Sequence, residues 1–97
     1  MFAVIFQAKM KQIDDEYANV AERMRLLALS EFGCIKFSAL TEGVNEIAIS
    51  YWPDEEKILA WKRYSEHLIA QELGRERWYE SYEVQICKIE RQYHFPN

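Results

Sequence analysis

The 97-residue chain is poor in the residues that punctuate long or modular proteins: three glycines, two prolines, two cysteines and two histidines. So few breakers leave no linker, repeat or low-complexity tract, and nothing resembling a nucleotide loop. A single domain over residues 1–97 is expected, near the size at which one core suffices. Cys34 and Cys87 have no second cysteine or histidine at metal-site spacing, so zinc is not supported, and they read as buried small hydrophobes rather than a bridge. No apolar run approaches the roughly 20 residues of a membrane span. The start, "MFAVIFQAKMK", lacks a leading basic region and a small-residue cleavage site, so the protein is expected in the cytoplasm. Basic excess is missing too: 12 Lys and Arg stand against 16 Asp and Glu, a net charge of −4. That balance argues against a nucleic-acid partner and against an anionic membrane surface.

What is present is apolar and aromatic material, 49% and 14% of the residues, enough for a packed core. Residues 2–9, "FAVIFQAK", are β-branched and aromatic and read as a strand. Asp14 or Asp15 can cap a helix whose Tyr17, Val20, Ala21, Met24, Leu27 and Ala28 form one stripe, ended by Gly33. "CIKFSAL" and "VNEIAISYW" read as two strands of a hairpin around "TEG". Pro53 and Asp54 open a second helix with Glu55 and Glu56 in its first turn, and Gly74 is its expected stop. After "RERWYES", the segment "YEVQICKIERQYHF" reads as the last strand, with a bulge or change of burial where its apolar phase shifts between Ile86 and Cys87.

The order is βαββαβ, an α+β ferredoxin-like arrangement: a four-stranded antiparallel sheet with two helices on one face. Phe2, Val4 and Phe6 alternate with Ala3 and Ile5, and Ile47, Ile49 and Tyr51 alternate with Ala48 and Trp52. With both phases apolar, both sheet faces call for burial, and two helices cover only one. A homodimer packed sheet against sheet is therefore expected.

Residues 47–71, "ISYWPDEEKILAWKRYSEHLIAQ" with their flank, place a Trp at a strand end, a turn, a second Trp nine positions on and then "S-x-H". This pattern resembles the antibiotic biosynthesis monooxygenase family. The resemblance implies a dimeric α+β barrel and, for activity, a cofactor-independent monooxygenase acting with O2 on a small aromatic, quinol or enolisable substrate. The haem-degrading branch of that superfamily carries an asparagine late in strand one, a tryptophan ending strand three and a histidine far along the next helix. Trp52 matches, but Gln7 and Gln71 stand near the other two positions and His67 lies about one turn early, so no cofactor is expected and haem is a minor alternative.

His67 is the candidate catalytic base, since imidazole exchanges protons near neutral pH. At about 100° per residue, however, it points roughly 140° from the centre of the Ile58, Trp61, Tyr64, Leu68 and Ile69 arc. Its catalytic reading requires a helix break near Ser65. Trp52, Trp61, Tyr64, Trp78 and Tyr82 are the candidate substrate-binding residues, and with Tyr79 they are able to line a flat pocket or simply to fill a core. Arg75 and Arg77 can hold an anion or complement a helix terminus. The alternative function is a non-catalytic dimeric barrel that binds a small hydrophobic ligand or a partner. An RNA-binding sheet of the same topology is remote, given the acidic balance and the absence of the corresponding aromatic motif.

Overall fold

The computed structural model describes residues 1–71 and 74–96. The elements are β1 (Phe2–Met10), α1 (Asp15–Ser30), β2 (Lys36–Glu42), β3 (Asn45–Trp52), α2 (Glu55–Gln71), α3 (Gly74–Arg77) and β4 (Tyr79–Lys88). The strands form one antiparallel sheet in the order β2-β3-β1-β4, the ferredoxin-like arrangement expected, with α3 as an addition. Among the described residues, no helix is long and apolar enough to cross a membrane.

Local chemistry sets the element ends. Asp14 has extended backbone, and its carboxylate accepts the Tyr17 backbone N–H at 2.8 Å, which satisfies one of the free donors at the start of α1. Asp54 does the same for α2 through the Lys57 N–H at 2.9 Å. Between β2 and β3 the chain reverses in two residues, Gly43 and Val44, with Glu42 paired to Asn45. Gly43 sits at φ 61°, the left-handed region that such tight hairpin turns need.

Four expectations are corrected. Gly74 does not simply stop a helix: it opens α3, where its carbonyl accepts the Trp78 N–H at 2.8 Å. The last strand is Tyr79–Lys88 rather than 82–95, because β1 provides partners only from Met10 to Phe2, and the Ile89 N–H makes a closing bond to the Met1 carbonyl at 3.0 Å. Beyond that point, among the described residues, no strand pairs with the chain. The β1–β4 ladder is regular through Ile86 and Cys87, and its register shift lies between Lys9 and Met10. The apolar phase change reflects an edge strand with little burial, where side-chain alternation loses its meaning: Ile86 is 42% exposed and Cys87 is exposed. Of the two free cysteines only Cys34 is buried, with its thiol against the Lys36 carbonyl.

Register assigns the two faces. Val4, Phe6 and Ala8 of β1 stand beside Ser50, Ala48 and Glu46 of β3 on the face covered by the helices. Ala3 and Ile5 stand beside Tyr51 and Ile49 on the opposite face, where Ile47 is 42% and Leu40 78% exposed in the protomer. The buried core divides into two clusters. One gathers Val4, Ala28, Cys34, Trp52 and Ile58; the other gathers Ala8, Met10, Tyr17, Trp78 and Tyr79.

Candidate functional site

Between the helices and the inner sheet face lies a cleft of about 510 Å³. Small residues make the room for it. Ala48 on β3 pairs directly with Ala39 on β2, and Ala18 and Ala21, one helical turn apart, face them from α1. Close-packed interiors leave a hollow of this size only where side chains are too short to meet. Aromatic rings form much of the wall: Phe6, Phe37, Trp61, Tyr79 and Tyr82. They are held by one another, with Phe6 5.7 Å from Tyr82, Tyr79 5.3 Å from Tyr82, and Phe37 edge-on to Trp61 at 5.8 Å. Trp61 is fixed further because its Nε1 donates to the Met24 carbonyl at 3.1 Å, which ties α2 to α1.

Few polar groups enter this apolar space. Ser50 and Ser65 line it, but both hydroxyls are engaged: Ser50 Oγ accepts Trp52 Nε1 at 2.8 Å, and Ser65 Oγ donates to the Trp61 carbonyl at 2.9 Å. Glu46 is the buried carboxylate of the cleft, 9% exposed. Tyr17 and Tyr79 stand beside it. Burial first, then the neighbouring Tyr79 and Glu46, push the Tyr17 phenol far above its usual range. Burial likewise raises Tyr79; Tyr17 opposes and the charge of Glu46 adds to the rise, which brings it to about 12. Both phenols therefore keep their protons at neutral pH. Toward the solvent, Arg25 pairs with Glu22 at 2.8 Å and Lys62 with Glu66 at 2.7 Å.

Of the rings singled out from sequence for the pocket, Tyr79 borders the cleft with two of the candidate substrate-binding residues. Trp61 and Tyr82 line the cleft. Trp52 is fully buried behind Trp61, with the two rings 5.4 Å apart, and Trp78 is fully buried against Tyr17 at 5.3 Å. Tyr64 packs on Phe32 at 5.6 Å, outside the cleft. The helix break that would have turned His67 inward is absent. α2 runs without interruption from Glu55 to Gln71, and Ser65 uses its hydroxyl on the preceding turn instead of recapping a new segment. His67 is exposed, its Nε2 3.2 Å from the Gln71 side-chain nitrogen on its own helix face. Arg75 lines the cleft and lies over Tyr82 at 6.0 Å. Arg77 instead joins the α1 start, 3.1 Å from Asp14 and 2.8 Å from Glu16.

Glu46, Tyr17, Phe6 and Phe37 were not recognised from sequence. A signal for Glu46 was available: in "VNEIAISYW" it shares the phase of Ala48, Ser50 and Trp52, and a carboxylate in the phase of a buried strand-end tryptophan points inward.

No family model matches the chain. The uncharacterized protein YqjZ of Bacillus subtilis is 38% identical over 92 residues, 94% of this chain and 81% of that protein. Jasmonate monooxygenase ABM of Pyricularia oryzae is 28% identical over 93 residues, 92% of this chain but only 43% of that longer protein. Among solved structures, SnoaB of Streptomyces nogalater, described as a cofactor-independent oxygenase, superposes with a TM-score of 0.74 at 14% identity, covering 99% of this chain and 97% of that one. A structure described as antibiotic biosynthesis monooxygenase gives 0.70 at 14% identity over 94% and 100%. A relative so similar over nearly the whole chain, a named monooxygenase relative and the shared fold lead to one assignment: this chain belongs to the antibiotic biosynthesis monooxygenase family.

Proposed function

We propose that the protein is an oxygenase that admits a planar, electron-rich aromatic molecule, such as a quinol or an anthrone, to the cleft and lets its anion reduce O2 directly. The observation that carries this reading is the aromatic-walled hollow of about 510 Å³ with a buried carboxylate inside it. A binding module needs the hollow but not the carboxylate, whereas proton abstraction from a weak carbon or oxygen acid needs a base within reach. For an anthrone, the ring methylene and one molecule of O2 give a ring carbonyl and one molecule of water. The substrate carbon supplies all four electrons, so no added reductant or cofactor enters the balance. The protein supplies desolvation, a flat wall for the rings and fixed dipoles around the developing anion.

Two copies packed through their outer sheet faces complete this reading. Ile5, Ile47, Ile49 and Leu40 lie on that face, and a partner would remove the exposed ones from water.

Oxygen uptake by the purified protein with a panel of quinols and anthrones, with no metal or flavin added, tests the activity. Uptake that falls at least tenfold in Trp61→Ala, about 1.4 kcal/mol of transition-state stabilisation, is the expected result. An aromatic ligand that binds tightly with no uptake above the blank would favour the non-catalytic binding module.

A further inference from the structure

The cleft contains a buried carboxylate that, among the described residues, no cation pairs. Glu46 lies on the central strand β3 between Ala8 of β1 and Thr41 of β2, under the helices and 9% exposed. Among the described residues, no lysine, arginine or histidine forms an ion pair with it. Burying an unpaired carboxylate beside apolar rings is costly, and a hydrophobic residue in its place would pack without that cost. The charges facing the cleft from the other elements do not neutralise it. Arg25 of α1 is held by Glu22, Lys62 of α2 by Glu66, and Arg75 of α3 lies over Tyr82 of β4. Tyr17 of α1 and Tyr79 of β4 are its phenolic neighbours, and while they keep their protons each can only donate to the carboxylate and brings no positive charge to it.

We propose that Glu46 is the general base of the cleft, the group that takes the proton from the bound carbon acid or phenol, with Tyr17 and Tyr79 as positioning residues. This rests on the oxygenase reading. The proton of the substrate C–H bond passes to a Glu46 oxygen and the electron pair stays on the ring carbon. That pair moves to O2 in two one-electron transfers as the C–O bond forms, and protonated Glu46 returns the proton to the distal peroxide oxygen. Glu46 then takes the second C–H proton, the C=O bond forms as the O–O bond breaks, and the departing hydroxide collects the proton as water. The carboxylate ends each turnover as it began. A base without a cation beside it favours neutral substrates, since an anionic one would meet an uncompensated like charge.

The test uses 1,8-dihydroxy-9-anthrone as probe and separates proton abstraction from oxygen chemistry. Held anaerobically in D2O and followed by NMR, the anthrone exchanges its ring-methylene hydrogens faster with wild type than in free solution, while E46Q loses about 100-fold of that acceleration. In air, E46Q loses about 100-fold or more of the oxygen uptake, within the usual contribution of a general base. Formate restores uptake in Glu46→Ala in a concentration-dependent way, which a purely structural glutamate would not allow. Equal rates of hydrogen exchange with wild type and E46Q, or uptake in E46Q within about threefold of an active wild type, overturns the role of Glu46 and leaves the oxygenase standing. A wild type that neither binds nor oxidises any anthrone or quinol overturns the oxygenase reading itself, and the role of Glu46 with it.

Discussion

The indole of Trp52 lies 5.4 Å from that of Trp61 with the planes tilted by 43°, so the cleft wall is two rings deep. The outer ring touches the cleft and the inner one supports it, with its N–H given to Ser50 Oγ at 2.8 Å. Trp52→Phe removes that donor from a serine only 2% exposed and leaves a void. The expected loss is about 1–3 kcal/mol in urea unfolding, the cost of an unsatisfied buried hydroxyl. Substrate KM should move less in Trp52→Phe than in Trp61→Ala, since only Trp61 contacts the ligand space.

His67→Ala should leave oxygen uptake within about twofold of wild type at every pH between 6 and 9, because the imidazole stands on the solvent side of an unbroken α2. A bell-shaped profile that loses its acid limb in this variant would contradict that placement.

Asp14 connects α1 to the α3–β4 junction, accepting hydrogen bonds from Tyr17 N, Arg77 and Trp78 Nε1. The Tyr17 backbone N–H first, then the Gln12 side chain, hold its carboxyl at about 2, below its ordinary 3.8. A folded value below the unfolded one means that the stabilisation is complete above the unfolded value and is lost as pH falls through 3.8 toward 2. Asp14→Ala should therefore lower Tm at pH 7, and the gap from wild type should close when melts are repeated near pH 2.

Gly74 is expected to resist substitution. A Cβ there would lie 2.6 Å from Ile69 Cγ2 and 2.7 Å from Cε3 of Trp78, whose ring is fully buried and has no free space to move into. Gly74→Ala should cost about 1–3 kcal/mol in thermal or urea unfolding, as overpacking does. A neutral result would show that α3 shifts to make room.

Ile47→Lys places a charge on the outer sheet face at a position already 42% exposed in the protomer, so the fold should survive it. Light scattering at micromolar concentration is expected to show a dimer for wild type and a monomer for this variant. A wild type that is itself monomeric would remove the second copy from the functional reading.

The sequence alone determined the βαββαβ order of the main elements, without α3, and the alternation of side chains along the central strands, without showing which phase the helices cover. Those properties are local: β-branched runs such as "FAVIF", caps at Asp14 and Asp54 and a turn glycine at Gly43 act over a few residues, and period-2 alternation separates Ile47 and Ile49 from Ala48 and Trp52 without reference to any partner. The pattern in residues 47–71 was likewise enough to indicate the family. Tertiary structure alone decided which aromatic rings border a space and which fill one. Trp61 on α2 and Trp52 at the end of β3 are alike by residue type and both turn inward, and they differ because the space left by Ala39, Ala48, Ala18 and Ala21 borders Trp61 and not Trp52. The candidate base moved for the same reason. His67 is conspicuous in the sequence but its helix turns it to solvent, whereas Glu46, inconspicuous in "VNEIAIS", is turned inward by its register between β1 and β2 and enclosed by Tyr17 and Tyr79, which are remote from it in the chain. Enclosure is a property of several segments at once, and no single stretch of the sequence encodes it.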